Sequence, residues 1–430
     1  MLTPLLPYLA VVVLAIVLYV MHGRRRERVN VQAHAEAVAQ GLTEPPSLHP
    51  VVDPHRCIGS GGCVHACPEE ALGIVGGKAV LVNAASCIGH GACRAACPVD
   101  AITLVFGTEK RGIDIPAVSP EFESNVPGLY IAGELGGMGL IRKAAEQGRQ
   151  AIESLRKRKT GPADLDVFIV GAGPAGISAG LSAIEHKLKY RLIEQEDSLG
   201  GSVYHYPRNK IAMTAPVQLA LIGRMKFGEV QKEKLLEFWQ GVVSKTGLEL
   251  HFRERMEAID KQGDTFIVTT NQGRYHARSV LLAIGRRGTP RKLNVPGEES
   301  PKVVYRLIDA EQYRGQAVLV VGGGDSALEA AIALSEQPDT RVALSYRSAA
   351  FSRVKDKNRQ RVQQQAEAGR LEVLLNSQVE RIEPDSVALK TEAGARVLPN
   401  QAVIVCAGGE LPTPLLQRMG VQFATKYGTA

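Results

Sequence analysis

The 430-residue sequence predicts an α/β protein, with a small cysteine-rich α+β unit and one N-terminal helix ahead of it. Three observations carry that expectation. Two apolar strands each run into a Gly-rich turn and a helix, at 166–185 and at 317–334. Six of the seven Cys lie between 57 and 97, and Leu2 to Met21 carries no charged residue. The composition, 45% hydrophobic and 22% charged, excludes a wholly disordered chain. The 44 Gly follow no Gly-X-Y period, which excludes collagen. The net charge of +7 suits an anionic partner, a membrane surface as well as a nucleic acid. No nucleic-acid motif accompanies it, so no nucleic-acid partner is expected. Seven Cys do not make a disulfide scaffold, and their clustering assigns six of them to one local device.

The first element is the apolar run LTPLLPYLAVVVLAIVLYVM at 2–21. Twenty helical residues span about 30 Å, the thickness of a bilayer core. Pro4 and Pro7 fall in the first turns, where proline is tolerated. Arg24-Arg25-Arg26-Glu27-Arg28 follows directly. A secretory signal has the opposite charge order. The expectation is a single-pass membrane anchor with everything after Gly23 in the cytoplasm; a buried core helix is the alternative. Val29–Gly41 reads as a short exposed helix, ended by Glu44-Pro45-Pro46.

Next come CIGSGGCVHACP at 57–68 and CIGHGACRAACP at 87–98, an internal repeat offset by 30. The unit resembles that of bacterial dicluster ferredoxins, C-x2-C-x2-C-x3-C-P. In that fold each cluster takes three Cys from one motif and the fourth from the other. Both copies here depart at the second Cys, which is Ser60 in one and His90 in the other. The resemblance implies one site of Cys57, Ser60, Cys63 and Cys97, and another of Cys87, His90, Cys93 and Cys67. Two iron–sulfur clusters are expected, of the 4Fe-4S type or, with a ligand missing, the 3Fe-4S type. A zinc knuckle and a metal-free scaffold are the alternatives. Strand-like segments at Lys78–Asn83 and Ile102–Phe106 favour the ferredoxin-like reading.

Asp166–Val170 is an apolar strand, followed by Gly171-Ala-Gly173-Pro-Ala-Gly176, a helix to Glu185, and a strand Tyr190–Ile193 ending at Glu194. Strand, G-x-G-x-x-G, helix and an acid about 20 residues on make the Rossmann fingerprint in its required context. Pyrophosphate sits on the helix N-terminus and the acid accepts from a ribose. A second unit follows: Ala317–Val321, Gly322-Gly-Gly324-Asp-Ser-Ala327, a helix to Leu334, and strand Arg341–Leu344. It ends in Ser345-Tyr346-Arg347, with Arg353 beyond and no acid where the first unit has Glu194. An acid there would repel a 2′-phosphate and Arg attracts it, so this site is expected to take NADPH. A solvated basic surface is the alternative for Arg347 and Arg353.

Two such sites in one chain resemble the two-dinucleotide flavoproteins of the thioredoxin reductase class, in which FAD takes the first fingerprint and NADPH the second. The resemblance covers about residues 108–430. Ser279–Gly285 with Val295-Pro-Gly297-Glu298 resembles the connection between domains. Gln401–Gly408 resembles the return strand to the FAD domain. Asn125–Glu134, with a helix at Ala144–Ile152, resembles the segment that closes the FAD site at the C-terminus of this class. It implies that Gly133 and Glu134 contact FAD and that the order is circularly permuted. Glu134 stands where the class has Asp. The class's redox Cys pair is missing; Tyr305 and Ile308 stand at its positions. The remaining Cys406 is expected on a buried strand. The aromatics Tyr204-His205-Tyr206 shield the flavin, shape a substrate pocket or pack in the core.

The expected fold class is thus α/β: two Rossmann-type dinucleotide-binding domains, a small α+β ferredoxin-like domain and one N-terminal transmembrane helix. The expected order is a transmembrane anchor (1–23), a linker (24–50), a dicluster ferredoxin-like domain (51–106), a permuted FAD-closing segment (107–160), an FAD-binding domain (161–300), an NADPH-binding domain (301–400) and a return to the FAD domain (401–430). The expected function is FAD-dependent NAD(P)H oxidoreduction, with electrons passing through the clusters to a quinone or redox partner protein at the membrane. No catalytic residue is assigned, and assembly as monomer or homodimer stays open. Two alternatives remain: a flavin-dependent reductase of a small disulfide or quinone with regulatory clusters, and a non-catalytic redox sensor.

Overall fold

The computed structural model describes residues 6–39, 43–45, 48–109, 112–137, 139–158, 161–208, 210–286, 288–351 and 354–428. They fall into two compact units. One holds the chain up to Ile113 together with Phe351–Lys357 and the last residues from Lys426; the other holds Asp114–Ala350 and Asn358–Thr425.

The first unit opens on one helix, Leu6–Ala39. It does not break at Gly23 but runs on through the basic cluster. Its polar half docks on the cysteine-rich part: Asn30 Nδ2 donates to the Ile74 carbonyl at 3.1 Å, and the Gly76 amide donates to Glu27. Ala37 is buried with Ala85. Among the described residues no helix is long and apolar enough to cross a membrane. The expected transmembrane helix and single-pass placement are therefore corrected. Residues 2–5 of the expected span lie outside the described residues. The expected anchor ended at residue 23, whereas the helix continues through Arg24–Arg28 to Ala39.

The cysteine-rich part has pseudo-twofold order. Strand His49–Val52 pairs antiparallel with Ile102–Val105, and Leu72–Val75 with Lys78–Leu81. Two single-turn helices, Gly62–His65 and Ala92–Ala95, each bury one Cys, Cys63 and Cys93. Left-handed backbone recurs at the offset of 30, at Gly61 and Gly91 (φ 74° and 77°) and at Glu70 and Asp100 (φ 49° and 47°).

The second unit holds two sheets, the first mixed and the second all parallel. The first has the order Met256–Gln262, Thr265–Thr270, Arg274–Leu282, Leu165–Val170, Tyr190–Ile193. Strand Leu129–Ile131 pairs in parallel with Val280–Leu282 of the third of these. The helix Ile141–Leu155 packs on Pro174–Glu185, buries Ala145, Gly148, Ile152 and Leu155, and seals one face of this sheet. Leu165–Val170 and Val280–Leu282 are almost wholly buried, as strands covered on both faces must be. The second sheet is all parallel, Val303–Val304, Ala402–Val405, Ala317–Val321, Arg341–Ser345, Leu371–Leu374, with an antiparallel meander over Gln378–Pro399. Strand Ala402–Val405 thus belongs to the nucleotide sheet of Ala317–Val321. The chain rejoins the core of the first sheet later, with Leu416 and Val421.

Candidate functional site

The six clustered Cys line two cavities. Cys57, Cys63 and Cys97 line one, with Ser60, Ala79 and Val99. Cys87, Cys93 and Cys67 line the other, with His90, Glu69 and Leu72. The grouping is that of the crossed ferredoxin topology. Each cavity holds some 300–380 Å³ of empty space including its mouth. Ser60 and His90 stand at equivalent positions of the two walls, and both are exposed. Left-handed glycines fold each loop around its cavity; a Cβ at Gly59 would run into the Gly77 carbonyl. Backbone amides aim at sulfur, Ala101 N to Cys97 Sγ at 3.3 Å and Ala79 N to Cys57 Sγ at 3.5 Å.

Burial pushes up the thiols of Cys63 and Cys87, and that of Cys93 to about 11. Neighbouring thiols add to the effect, Cys57 and Cys97 at Cys63 and Cys67 at Cys87. Thiols held in this way gain most from a bound metal, which takes their protons' place. Among the described residues no three His, Cys, Asp or Glu converge on a point that could hold one metal ion. Three thiols with Ser60 or His90 around each cavity make a donor set that fits an iron–sulfur cluster.

The first nucleotide cradle is the turn after Leu165–Val170. Gly171 has φ 104°, and a Cβ there would stand 2.6 Å from the Ala283 carbonyl. At Gly176 a Cβ would run into the Gly171 carbonyl. Gly173 precedes the helix, with Pro174 in its first turn. Those restrictions leave the helix start open to a pyrophosphate. Glu194 is buried at the end of Tyr190–Ile193. Its carboxylate accepts from the amides of Ala172 (2.8 Å) and Glu196 (3.1 Å). Burial raises its pKa while those amides pull it back. The carboxylate keeps acceptor capacity for a ribose.

Beside this cradle lies the segment 129–136. Gly133 (φ 85°) donates its amide to Gln147 Oε1 at 2.8 Å. Glu134 starts a short 3₁₀ turn beside Gly139 and within 4.0 Å of where a Cβ on Gly285 would be. Burial lowers the pKa of Arg286, against the charges of Glu134 and Asp114. Gln147 and Arg286 act on Gly133–Glu134, the first through a hydrogen bond and the second through its charge, but carry no sequence signal of their own.

The second cradle follows Ala317–Val321. Gly324 leads into the helix Asp325–Ser335, where Ala327 is fully buried. A Cβ at Gly322 would run into the Cys406 carbonyl, and one at Gly323 into the Tyr346 ring. Tyr346 therefore lies over the Gly-rich turn, and Arg347 follows it, exposed. Arg353 lies outside the described residues. Cys406 ends the adjoining strand, and burial pushes its thiol up to about 12. Between the two cradles, Tyr204–Lys210 is tied down: Lys232 Nζ donates to the Tyr206 carbonyl at 2.6 Å, and Lys210 pairs with Glu329 at 2.5 Å.

Two strand–Gly turn–helix cradles and a cysteine-lined unit are the features a class of nucleotide-dependent oxidoreductase would need. The chain belongs to the pyridine nucleotide-disulphide oxidoreductase family, a family of FAD-dependent NAD(P)H oxidoreductases, which it matches over residues 168–429. Residues 49–98 match the 4Fe-4S dicluster domain. The chain is 33% identical over 226 residues to the ferredoxin–NADP reductase of Thermus thermophilus, which covers 51% of this chain and 64% of that protein. It is 33% identical over 242 residues to that of Pediococcus pentosaceus, covering 54% and 69%. It thus spans about two thirds of the length of these relatives. Among solved structures, a bacillithiol disulfide reductase from Bacillus cereus matches with a TM-score of 0.52 at 25% identity, over 60% of this chain and 82% of that one. That from Staphylococcus aureus, with a TM-score of 0.53 at 22% identity over 61% and 84%, is a likeness of fold alone.

Proposed function

We propose that the protein passes electrons between NADPH, FAD and two iron–sulfur clusters, and exchanges them with a redox partner protein or a quinone. Its relatives named ferredoxin–NADP reductase join the same nucleotide to a separate iron–sulfur protein; here such a unit is part of the chain. One observation carries the reading: two nucleotide cradles share the chain with two thiol-lined cavities, while no redox dithiol stands at Tyr305 and Ile308. Gly171, Gly173 and Gly176 leave room for the FAD pyrophosphate, and Glu194 takes its ribose. Gly133 and Glu134 close the site. Gly322, Gly324 and Ala327 seat NADPH, with Arg347 and Arg353 for its 2′-phosphate. Bound flavin supplies the chemistry that divides a hydride's two electrons into single ones.

The order of elements is read as a circular permutation. Support comes from Leu129–Ile131, which pairs beside Val280–Leu282 at the place the resemblance gives to a C-terminal strand, and from the helix that follows it onto Pro174–Glu185.

The test is an anaerobic NADPH titration of the purified protein, following flavin and iron–sulfur absorbance together. Both are expected to bleach, and thioredoxin should not be reduced at a useful rate. Fast reduction of a small disulfide or quinone after cluster removal would favour a flavin reductase with regulatory clusters. No NADPH oxidation with any acceptor would favour a sensor.

Ser60 and His90 complete the two cluster sites in this reading. Nitrogen and oxygen are harder donors than thiolate, and neutral His removes a negative charge from its site. The His90 site is expected at a higher potential than an all-Cys site, as in Rieske centres. Electron paramagnetic resonance of the oxidised protein as isolated decides the matter. Three-iron signals there would exclude ligation by Ser60 and His90, and zinc in place of iron would end the electron-transfer reading of this unit.

A further inference from the structure

The internal repeat supplies its own control. Position by position the two cavities match, with Cys67 answering Cys97, Ala71 answering Ala101 and Leu72 answering Ile102. Ser60 against His90 is one difference on the walls. Another is Glu69, which lines the second cavity where Val99 lines the first. The Glu69 side chain is only 14% exposed, so a carboxylate sits in the wall two residues from Cys67. It has a partner from far along the chain. Lys355 Nζ lies 2.8 Å from Glu69 Oε2, across a sequence separation of 286. The stretch Phe351–Lys357 belongs to the same compact unit as the cysteines, although it follows Tyr346-Arg347 of the second cradle in sequence.

We propose that Lys355 is the counter-charge of the second iron–sulfur site, neutralising Glu69 and so holding up that site's reduction potential. Reduction adds one electron and one negative charge to a cluster. The net charge around a cluster is one of the determinants of its potential. An uncompensated carboxylate in a half-buried wall opposes that added charge, and screening by water is weak there. At the first site Val99 poses no such problem, and no cation is required. Lys355 acts through Glu69, so it is a tuning residue and not a ligand. The inference rests on the proposal that these cavities hold clusters.

The experiment is a potentiometric titration of the full-length protein, read by electron paramagnetic resonance, on the parent, Lys355→Gln, Glu69→Gln and the double variant. The signal of the second site is assigned by its loss in Cys87→Ser. Lys355→Gln is expected to move the second site to lower potential and to leave the first in place. Adding Glu69→Gln should return it towards the parent value, and Lys355→Arg should keep the parent value. A Lys355→Gln protein with both sites loaded and no selective shift overturns the inference, as does a double variant that stays low. A parent protein without iron and sulfide overturns the reading beneath it, and this inference with it.

Discussion

NADPH should reduce the flavin at far lower concentration than NADH, and Arg347→Ala should erase most of that preference. Strand Arg341–Ser345 ends with Arg347 exposed two residues on. Tyr346 stands where the first cradle has Glu194, so no carboxylate faces a 2′-phosphate at that position. A charge-assisted contact to phosphate contributes about 1.5–3 kcal/mol. That corresponds to about a 10- to 150-fold loss in apparent NADPH affinity, with NADH nearly unaffected. Stopped-flow flavin reduction with each coenzyme measures it. Equal use of both coenzymes by the parent protein would show that the basic residues are only a solvated surface.

Gly148→Val should strip the protein of flavin. A Cβ at Gly148 would run into the carbonyl of Ala175, in the first turn of the helix proposed to hold the FAD pyrophosphate. A backbone carbonyl cannot rotate away, so the two helices must part. Replacing Gly in a helix normally gains up to about 1 kcal/mol in propensity, less for a β-branched residue. Overpacking typically costs about 1–3 kcal/mol, more against backbone, and decides the sign. FAD per protein after gel filtration should fall about tenfold or more. Gly241→Ala is the control. It sits in the helix Lys232–Thr246 with nothing within 4 Å of its would-be Cβ, and should stabilise by about 0.5–1 kcal/mol. Full flavin in Gly148→Val would mean that the early segment does not help to hold the cofactor.

The strand–turn–helix units were legible because their signals are local. Gly171, Gly176 and Gly322 each answer to a steric demand of the neighbouring backbone, and the strands before them are apolar enough to be buried on both faces. The grouping of the thiols into two cavities was legible through the resemblance of the repeat at Cys57–Cys67 and Cys87–Cys97 to dicluster ferredoxins, which implies the exchange of Cys67 and Cys97. The N-terminal element was expected to end as an anchor at residue 23, yet the helix runs on to Ala39; the docking of Glu27 and Asn30 on residues 74–76 is a long-range contact that nothing in the local pattern announces. Strand Ala402–Val405 was expected to mark the return to the flavin sheet, yet pairs with Ala317–Val321; parallel pairing partners are chosen by the whole sheet. The surroundings of Glu134 were invisible for a similar reason. Gln147 and Arg286 reach this segment from different parts of the chain, and each alone is an ordinary polar residue.

The pairing of Leu129–Ile131 with Val280–Leu282 has a consequence for biosynthesis. The edge strand leaves the ribosome some 150 residues ahead of its partner. At roughly 5–20 residues per second it waits about 8 to 30 s for the sheet it belongs to. Helix Ile141–Leu155 meets its partner Pro174–Glu185 early in that interval, but the apolar strand Leu129–Ile131 has no sheet to join until its end. A chain of this order is therefore expected to lean on nascent-chain holdases. Slowing translation between residues 155 and 280 should lower the yield of flavin-loaded protein more than slowing it after residue 282.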